Sequence, residues 1–252
     1  MSEANLILHC GAREVTREDL ALVPCPKPDT GSRWRPVPHV EVLDHALKAL
    51  SEASYEVEKL RLGLARNDAR FWGTIVLKSS VVPGVSLAVA VASSHDKSVS
   101  LRWAYGHSVM VCDNGAWCVE KTISRKHTIH AVDRYHEAIT TAVTDLADYR
   151  QIEGERIKRL AAWEIDDTRA ESLLLRCYEA KLLSPQTLPC ALEQWRRPEF
   201  EDFKPRTGWS LYNAVTYALN DRAKTNPQAH AHATVKLGGI LCLPEALHAQ
   251  VA

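Results

Sequence analysis

Between Val85 and Thr128 the chain passes through three or four strand-like runs joined by very short connections. They read V-S-L-A-V-A-V-A-S-S-H-D-K-S, then V-S-L-R-W-A-Y-G-H-S-V-M-V-C-D-N-G, then A-W-C-V-E-K-T-I-S-R-K-H-T. Parallel neighbours need a crossover of about a dozen residues or more, and no such length separates these runs. The stretch therefore predicts an antiparallel meander. Polar clusters sit at the strand ends: Ser94-His95-Asp96-Lys97-Ser98, Cys112-Asp113-Asn114-Gly115 and Arg125-Lys126-His127-Thr128. Antiparallel pairing can gather such ends on one rim of a sheet, which makes that rim the expected site.

The meander begins upstream of Val85. From Tyr55 apolar residues alternate with polar ones, and a slip of phase between Val57 and Leu60 predicts a bulge. Asn67-Asp68 and Pro83-Gly84 are turn pairs flanking a strand that carries Phe71, Gly73, Ile75 and Leu77. Before these strands, Val42, Leu43, Ala46, Leu47 and Leu50 mark a helix from about His39 to Ala53. Earlier still, Leu6-Ile7-Leu8 is a short strand candidate. Thr16 and Asp19 have capping-box spacing for a brief helix through Leu22. Prolines 24, 26, 28, 36 and 38 then impose an extended arm, with Trp34 its anchor.

After His130 the pattern turns helical. Ile139, Val143, Leu146, Ile152, Ile157 and Leu160 form a stripe along a helix of more than about thirty residues, with Glu153 among its solvated charges. A second helix is expected near Thr168. A third opens with Ser184 as N-cap and Pro185 at N1, a fourth spans Trp209 to Lys224, and a fifth covers His230 to Leu237. Sheet first and helices afterwards give the fold class as α+β: a mainly antiparallel meander of about five or six strands, then a helical C-terminal half packed on the sheet. The expected parts are residues 1–38, an N-terminal strand and proline-rich arm; 39–130, helix plus sheet; and 131–252, the helical region. Together they are expected to make one compact unit.

Composition narrows the function. Lys plus Arg equals Asp plus Glu at 31 each, so no global field draws the protein to nucleic acid or an anionic membrane, and a local patch must serve instead. Seven cysteines without a Cys-x-x-Cys pair, after a start lacking a basic and apolar leader, predict free thiols in a cytoplasmic protein. The longest apolar stretch is too short for a bilayer, so no membrane association is expected. Phosphate-loop, dinucleotide, nucleophile-elbow and H-E-x-x-H signatures are absent, and no cofactor is expected. Cys112, Cys118, His127 and His130 are spaced unlike any familiar zinc module, so no metal is expected either.

Each cluster admits two readings. Ser94–Ser98 is either a functional site, for acid–base chemistry by His95 and Asp96 or capture of an anion by Lys97 with the two hydroxyls, or a hairpin turn in which Ser94 and Asp96 bond to local backbone. Cys112 as a nucleophile would need His107 or His127 beside it; otherwise it is a buried thiol. Lys121, Arg125 and Lys126, with Lys97, form a basic patch near Trp103 and Tyr105. Alternation places those two aromatics on one strand face, a stacking platform if open and core if covered.

The motifs S-x-D-K-S, V-x-C-D-N and R-K-H-T, with Trp209-Ser210-Leu211-Tyr212-Asn213-Ala214-Val215-Thr216 later, resemble domain of unknown function family 932. The resemblance spans roughly Tyr55 to Lys224, and the proline arm resembles that of a bacterial subgroup. Ser93 stands where the family more often has Asn, and Gly115 where it often has Leu or Thr. The resemblance implies a phage- or plasmid-like, mobile-element context and no established activity. It marks Ser94, Ser98, Cys112, Asp113, Asn114, Thr128, Trp209 and Asn213 as motif positions.

Three functions follow as expectations. The leading one is non-catalytic nucleic-acid binding, to single-stranded DNA in recombination or replication. Lys97, Lys121, Arg125 and Lys126 would contact phosphates, and Trp103 or Tyr105 would stack on bases. The second is an enzyme with His95 or His127 as base, Asp96 as orienting carboxylate and Lys97 or Arg125 as the anion stabiliser. The third is a structural or interaction protein. Trp209 and Asn213, four apart on one helix face, are expected to dock that helix on the sheet, with Asn213 bonded to the Ser94–Ser98 or Cys112–Gly115 turn.

Overall fold

The computed structural model describes residues 12–28, 30–109, 118–128, 130–219 and 227–241. Leu6–Leu8 and the Cys112–Gly115 turn lie outside them. Two short elements come first, β1 (Arg13–Val15) and α1 (Arg17–Leu22). Helix α1 starts as its spacing predicts: Thr16 Oγ1 accepts from Asp19 N, and the Asp19 carboxylate accepts from Thr16 N. The proline arm leads to α2 (His39–Glu52), which buries Val42, Leu43, Ala46 and Leu50.

Five strands follow: β2 (Val57–Ala65), β3 (Arg70–Val82), β4 (Val85–Ser94), β5 (Leu101–Val109) and β6 (Cys118–Arg125). The sheet is antiparallel with strand order β1-β2-β3-β4-β5-β6. The predicted slip is present as a register shift between Val57 and Lys59. Strand β4 is buried along its whole length. On its helix-facing side Leu87, Val89 and Val91 join Phe71, Ile75 and Leu77 of β3 and Leu101, Trp103 and Tyr105 of β5 in one core. Helix α2 closes that core with the first half of α3 (Ala131–Ala162), through Tyr135, Ile139, Ala142, Val143, Leu146 and Tyr149.

A second core belongs to the C-terminal helices. These are α4 (Asp167–Glu179), α5 (Leu188–Arg196), α6 (Gly208–Ala218) and α7 (Pro227–Ile240), joined by the end of α3. The chain accordingly divides into two compact units, Met1–Ser108 with Val119–Glu153, and Val109–Cys118 with Gly154–Ala252. The sequence reading expects a border at residue 130 and one unit overall. The division instead falls inside α3, because its apolar stripe serves the sheet core up to Tyr149 and the helical core from Leu160.

Three local expectations are corrected. Ile152 is exposed and Glu153 buried, because the inward face of α3 reaches position 153, where the carboxylate meets His107 Nδ1 at 3.1 Å. Ser184 does not cap α5. Ser184 and Thr187 bond each other across a turn, Thr187 N to Ser184 Oγ and Ser184 N to Thr187 Oγ1, and the helix begins one turn later. Helix α6 starts at Gly208, one residue before the predicted Trp209, and ends at Ala218 with Leu219 as its C-cap, while residues 220–224 of the expected helix lie outside the described ones. A Cβ on Gly208 would lie 2.7 Å from Trp163 Cε3 and 3.2 Å from the Leu160 carbonyl. Gly208→Ala is expected to lower stability by about 1–3 kcal/mol, as overpacking does, with no change of secondary-structure content; urea unfolding measures it.

Candidate functional site

Strand alternation decides what the Ser94–Ser98 segment can do. Leu87, Val89 and Val91 face the core, so Ser93 and His95 continue on that side, while Ser94 and Asp96 take the other. The imidazole of His95 therefore turns inward onto His39, the first residue of α2. The two rings stack with centroids 3.8 Å apart and planes 7° from parallel. His39 is fully buried, and its two nitrogens are both engaged, Nδ1 with Ser93 Oγ at 2.8 Å and Nε2 with the Asp68 carbonyl at 3.1 Å. The Nε2 of His95 bonds the Val37 carbonyl at 2.9 Å, which ties the proline arm to the rim.

A third imidazole adjoins this pair. His127 is buried, and Arg35 N donates to its carbonyl at 3.0 Å, while Thr128 bridges to Trp34. Among the described residues its ring nitrogens have no well-formed hydrogen-bond partner, although the Val99 backbone acts on the ring. Burial lowers the pKa of all three histidines, since charge is costly away from water. For His39 it falls to about 3, helped by the neighbouring His95. All three are neutral at pH 7.

Asp96 belongs to a different network. Its Oδ1 accepts from Ser98 N at 3.0 Å and from the Ser98 hydroxyl. Its Oδ2 lies 3.4 Å from Arg70 Nε and 3.8 Å from Arg66 Nη1. Burial works to raise its pKa, but the Ser98 and Ser94 hydrogen bonds and the charge of Arg70 outweigh it and hold the carboxyl at about 2. Ser94 closes the turn by accepting from Val99 N at 2.8 Å and donating to Val99 O at 3.0 Å. The hairpin-turn reading thus describes this segment, and no described hydrogen bond joins Asp96 to an imidazole. Lys97 takes the left-handed backbone at φ 64°, and its Nζ sits 4.8 Å over the Trp34 ring.

The facing hairpin is bent sharply. Arg66, Asn67 and Asp68 all have positive φ, each costing on the order of 1 kcal/mol for a non-glycine residue. Arg13 holds the Asp68 carboxylate with two hydrogen bonds of 3.1 and 2.9 Å, while the Asp68 carbonyl receives His39. Sequence reasoning did not single out His39, Arg66 or Arg70. The available signal was the alternation through Ser93 and His95, which sends both toward the helix side.

The other expected residues divide sharply. Trp103 and Tyr105 share one face, as alternation requires, but α3 covers it; Trp103 is 0% exposed and Tyr105 4%. They are core and offer no stacking platform. Arg125 and Lys126 are exposed, and the Lys121 side chain lies outside the described residues, as do Cys112, Asp113 and Asn114. Asn213 is buried, yet its Nδ2 donates to Trp209 O of its own helix at 2.9 Å. No described hydrogen bond joins it to the Ser94–Ser98 turn. Trp209 stacks on Tyr212 within the helical core. Among the described residues, no group of three or more His, Cys, Asp or Glu is assembled for a metal ion. No helix among them is long and apolar enough to cross a membrane.

An α+β protein with a six-stranded antiparallel sheet, whose rim gathers S-x-D-K-S and R-K-H-T, is the class these observations define. Residues 29–237 match the domain of unknown function family 932 (DUF932), and the chain belongs to that family. The match contains the whole rim from Trp34 to Thr128 and the α6 motif. No curated protein matches the chain, and no solved structure matches it.

Proposed function

We propose that this protein binds nucleic acid without catalysis, through the basic rim formed by the β2–β3 and β4–β5 turns and the segment after β6. The observation that supports the reading is a charge imbalance. Arg66 and Arg70 converge on the one carboxylate of the S-x-D-K-S turn, Asp96, and Lys97 adds a further cation beside them. Arg125 and Lys126 are exposed immediately before the His127–Thr128 segment that is tied to Trp34 and Arg35. A locally basic rim on a chain of zero formal net charge suits contact with phosphates rather than bulk attraction to polyanions. Trp103 and Tyr105 take no part.

In this reading the ligand is single-stranded DNA, and the setting is cytoplasmic recombination or replication of a phage- or plasmid-like element. The test is fluorescence anisotropy of a labelled single-stranded oligonucleotide over a range of salt. Binding is expected to weaken linearly on a log–log plot. Combining Lys97→Ala, Arg125→Ala and Lys126→Ala should reduce that slope by about 2, at roughly 0.7 per lost phosphate contact. Absence of binding at the lowest salt overturns the reading.

A further inference from the structure

With Trp103 and Tyr105 in the core, a rim that holds bases needs another ring, and the proline arm supplies one. Trp34 is partly exposed beside the basic residues of the rim. Its Nε1 is buried, so the accessible part of the residue lies away from that nitrogen. The backbone under the ring is pinned. Trp34 N donates to Ser32 Oγ at 3.0 Å, and Arg35 Nη1 donates to the Ser32 and Trp34 carbonyls at 2.7 and 2.9 Å. Trp34 also bridges to Thr128, and Arg35 N donates to the His127 carbonyl at 3.0 Å. A ring fixed in this way loses little freedom when a ligand stacks on it.

Resting on the nucleic-acid reading above, we propose that Trp34 and Lys97 form a one-nucleotide subsite. The indole stacks an unpaired base, and the Lys97 ammonium takes the adjoining phosphate. Lys97 Nζ stands 4.8 Å from the centre of the Trp34 ring. It comes from the exposed tip of the S-x-D-K-S turn, where Lys97 is held in left-handed backbone, and its stem is long and flexible. A cation over a solvent-accessible ring is held more weakly than a stacked base. An incoming base therefore displaces the ammonium from the ring face, and the stem carries the charge to the phosphate. Arg33 is exposed next to Trp34, and Arg125 and Lys126 are exposed just before His127, whose carbonyl Arg35 N holds. These three extend the positive strip along neighbouring phosphates. Every base has a π-face, so the subsite selects single strand over duplex rather than one base over another. Bases inside a duplex are already stacked and offer the ring no face.

Fluorescence anisotropy of a labelled single-stranded oligonucleotide, and of the same sequence as duplex, tests this on the full chain. Trp34→Leu is expected to weaken single-strand binding about tenfold with the salt slope unchanged, and Trp34→Phe by about threefold or less. Lys97→Ala should instead lower the slope by about 0.7. Duplex binding should be the same for wild type and Trp34→Leu. Affinities are corrected for the folded fraction by urea unfolding, because a ring that only anchors the arm would lose stability at unchanged affinity. If wild type binds the single strand and Trp34→Leu binds it equally well, the subsite is overturned and the phosphate-binding rim stands. No binding by wild type at the lowest salt overturns both. A second measurement needs no variant. Irradiation of wild type with an oligonucleotide carrying iodouracil, mapped by mass spectrometry, should place cross-links on Trp34; cross-links confined to other residues, or none, overturn the proposal.

Discussion

Acidification from pH 7 to about 3 is expected to remove roughly 4–5 kcal/mol of folding stability through His39 alone. Its folded pKa is lowered to about 3 by burial and by the stacked His95, while an unfolded histidine titrates near 6.5. Above pH 6.5 both states carry neutral imidazole and the group contributes nothing to the slope. Below 6.5 the unfolded chain binds a proton that the folded site refuses. Stability then falls by about 1.4 kcal/mol per pH unit until the folded pKa is passed. His95 and His127 are lowered as well, so their contributions have the same sign. Asp96 acts later, since a carboxylate held at about 2 loses its contribution only as pH falls below about 4.

Urea midpoints at pH 7, 5.5 and 4.5 give the measurement. His39→Gln is the informative variant, because its Nε2 stands where the imidazole Nε2 does and can still donate to the Asp68 carbonyl, yet it does not titrate. It should be the less stable protein at pH 7 and close most of that gap by pH 4.5. Curves that fall in parallel for both proteins would show that the acid response lies elsewhere. The α2 N-terminus and the proline arm should loosen first, since His39 and His95 hold them through Ser93, Asp68 and Val37.

Much of the fold was legible because its periodicities are local. The α2 stripe, the alternation in β3, the Val57–Leu60 slip and the Thr16–Asp19 capping box all report on neighbours within a few residues. The long stripe of α3 was legible too, but its inward face runs through Glu153 rather than Ile152. An apolar-in rule cannot foresee a carboxylate buried against a histidine 46 residues away on β5. The candidate site shows the same limit. Ser94–Ser98 was visible as a polar turn, but treating it as one cluster hid the alternation that sends His95 inward and Asp96 outward. The partner that gives His95 its place, His39, lies 56 residues earlier on another element.

Trp103→Ala decides between the two sequence readings of that residue, and it is expected to cost about 3–5 kcal/mol of stability. Trp103 is the largest fully buried side chain among the described residues, packed edge-on to Tyr105 at 5.5 Å, and Tyr105 in turn meets Tyr149 of α3 at 5.2 Å. Removing the indole leaves a cavity between the sheet and α3 that this chain of rings cannot fill. A stacking platform would behave oppositely, losing oligonucleotide affinity at unchanged stability. Trp103→Phe sharpens the comparison. The indole Nε1 is buried without a hydrogen-bond partner among the described residues, so phenylalanine gives up volume but no bond, and relieves an unsatisfied donor. It should therefore cost well under half as much as alanine. Oligonucleotide affinity, corrected for the folded fraction, should be the same for wild type and Trp103→Phe. A stable Trp103→Ala protein with lost binding would return Trp103 to the surface and overturn the packing of α3 on the sheet.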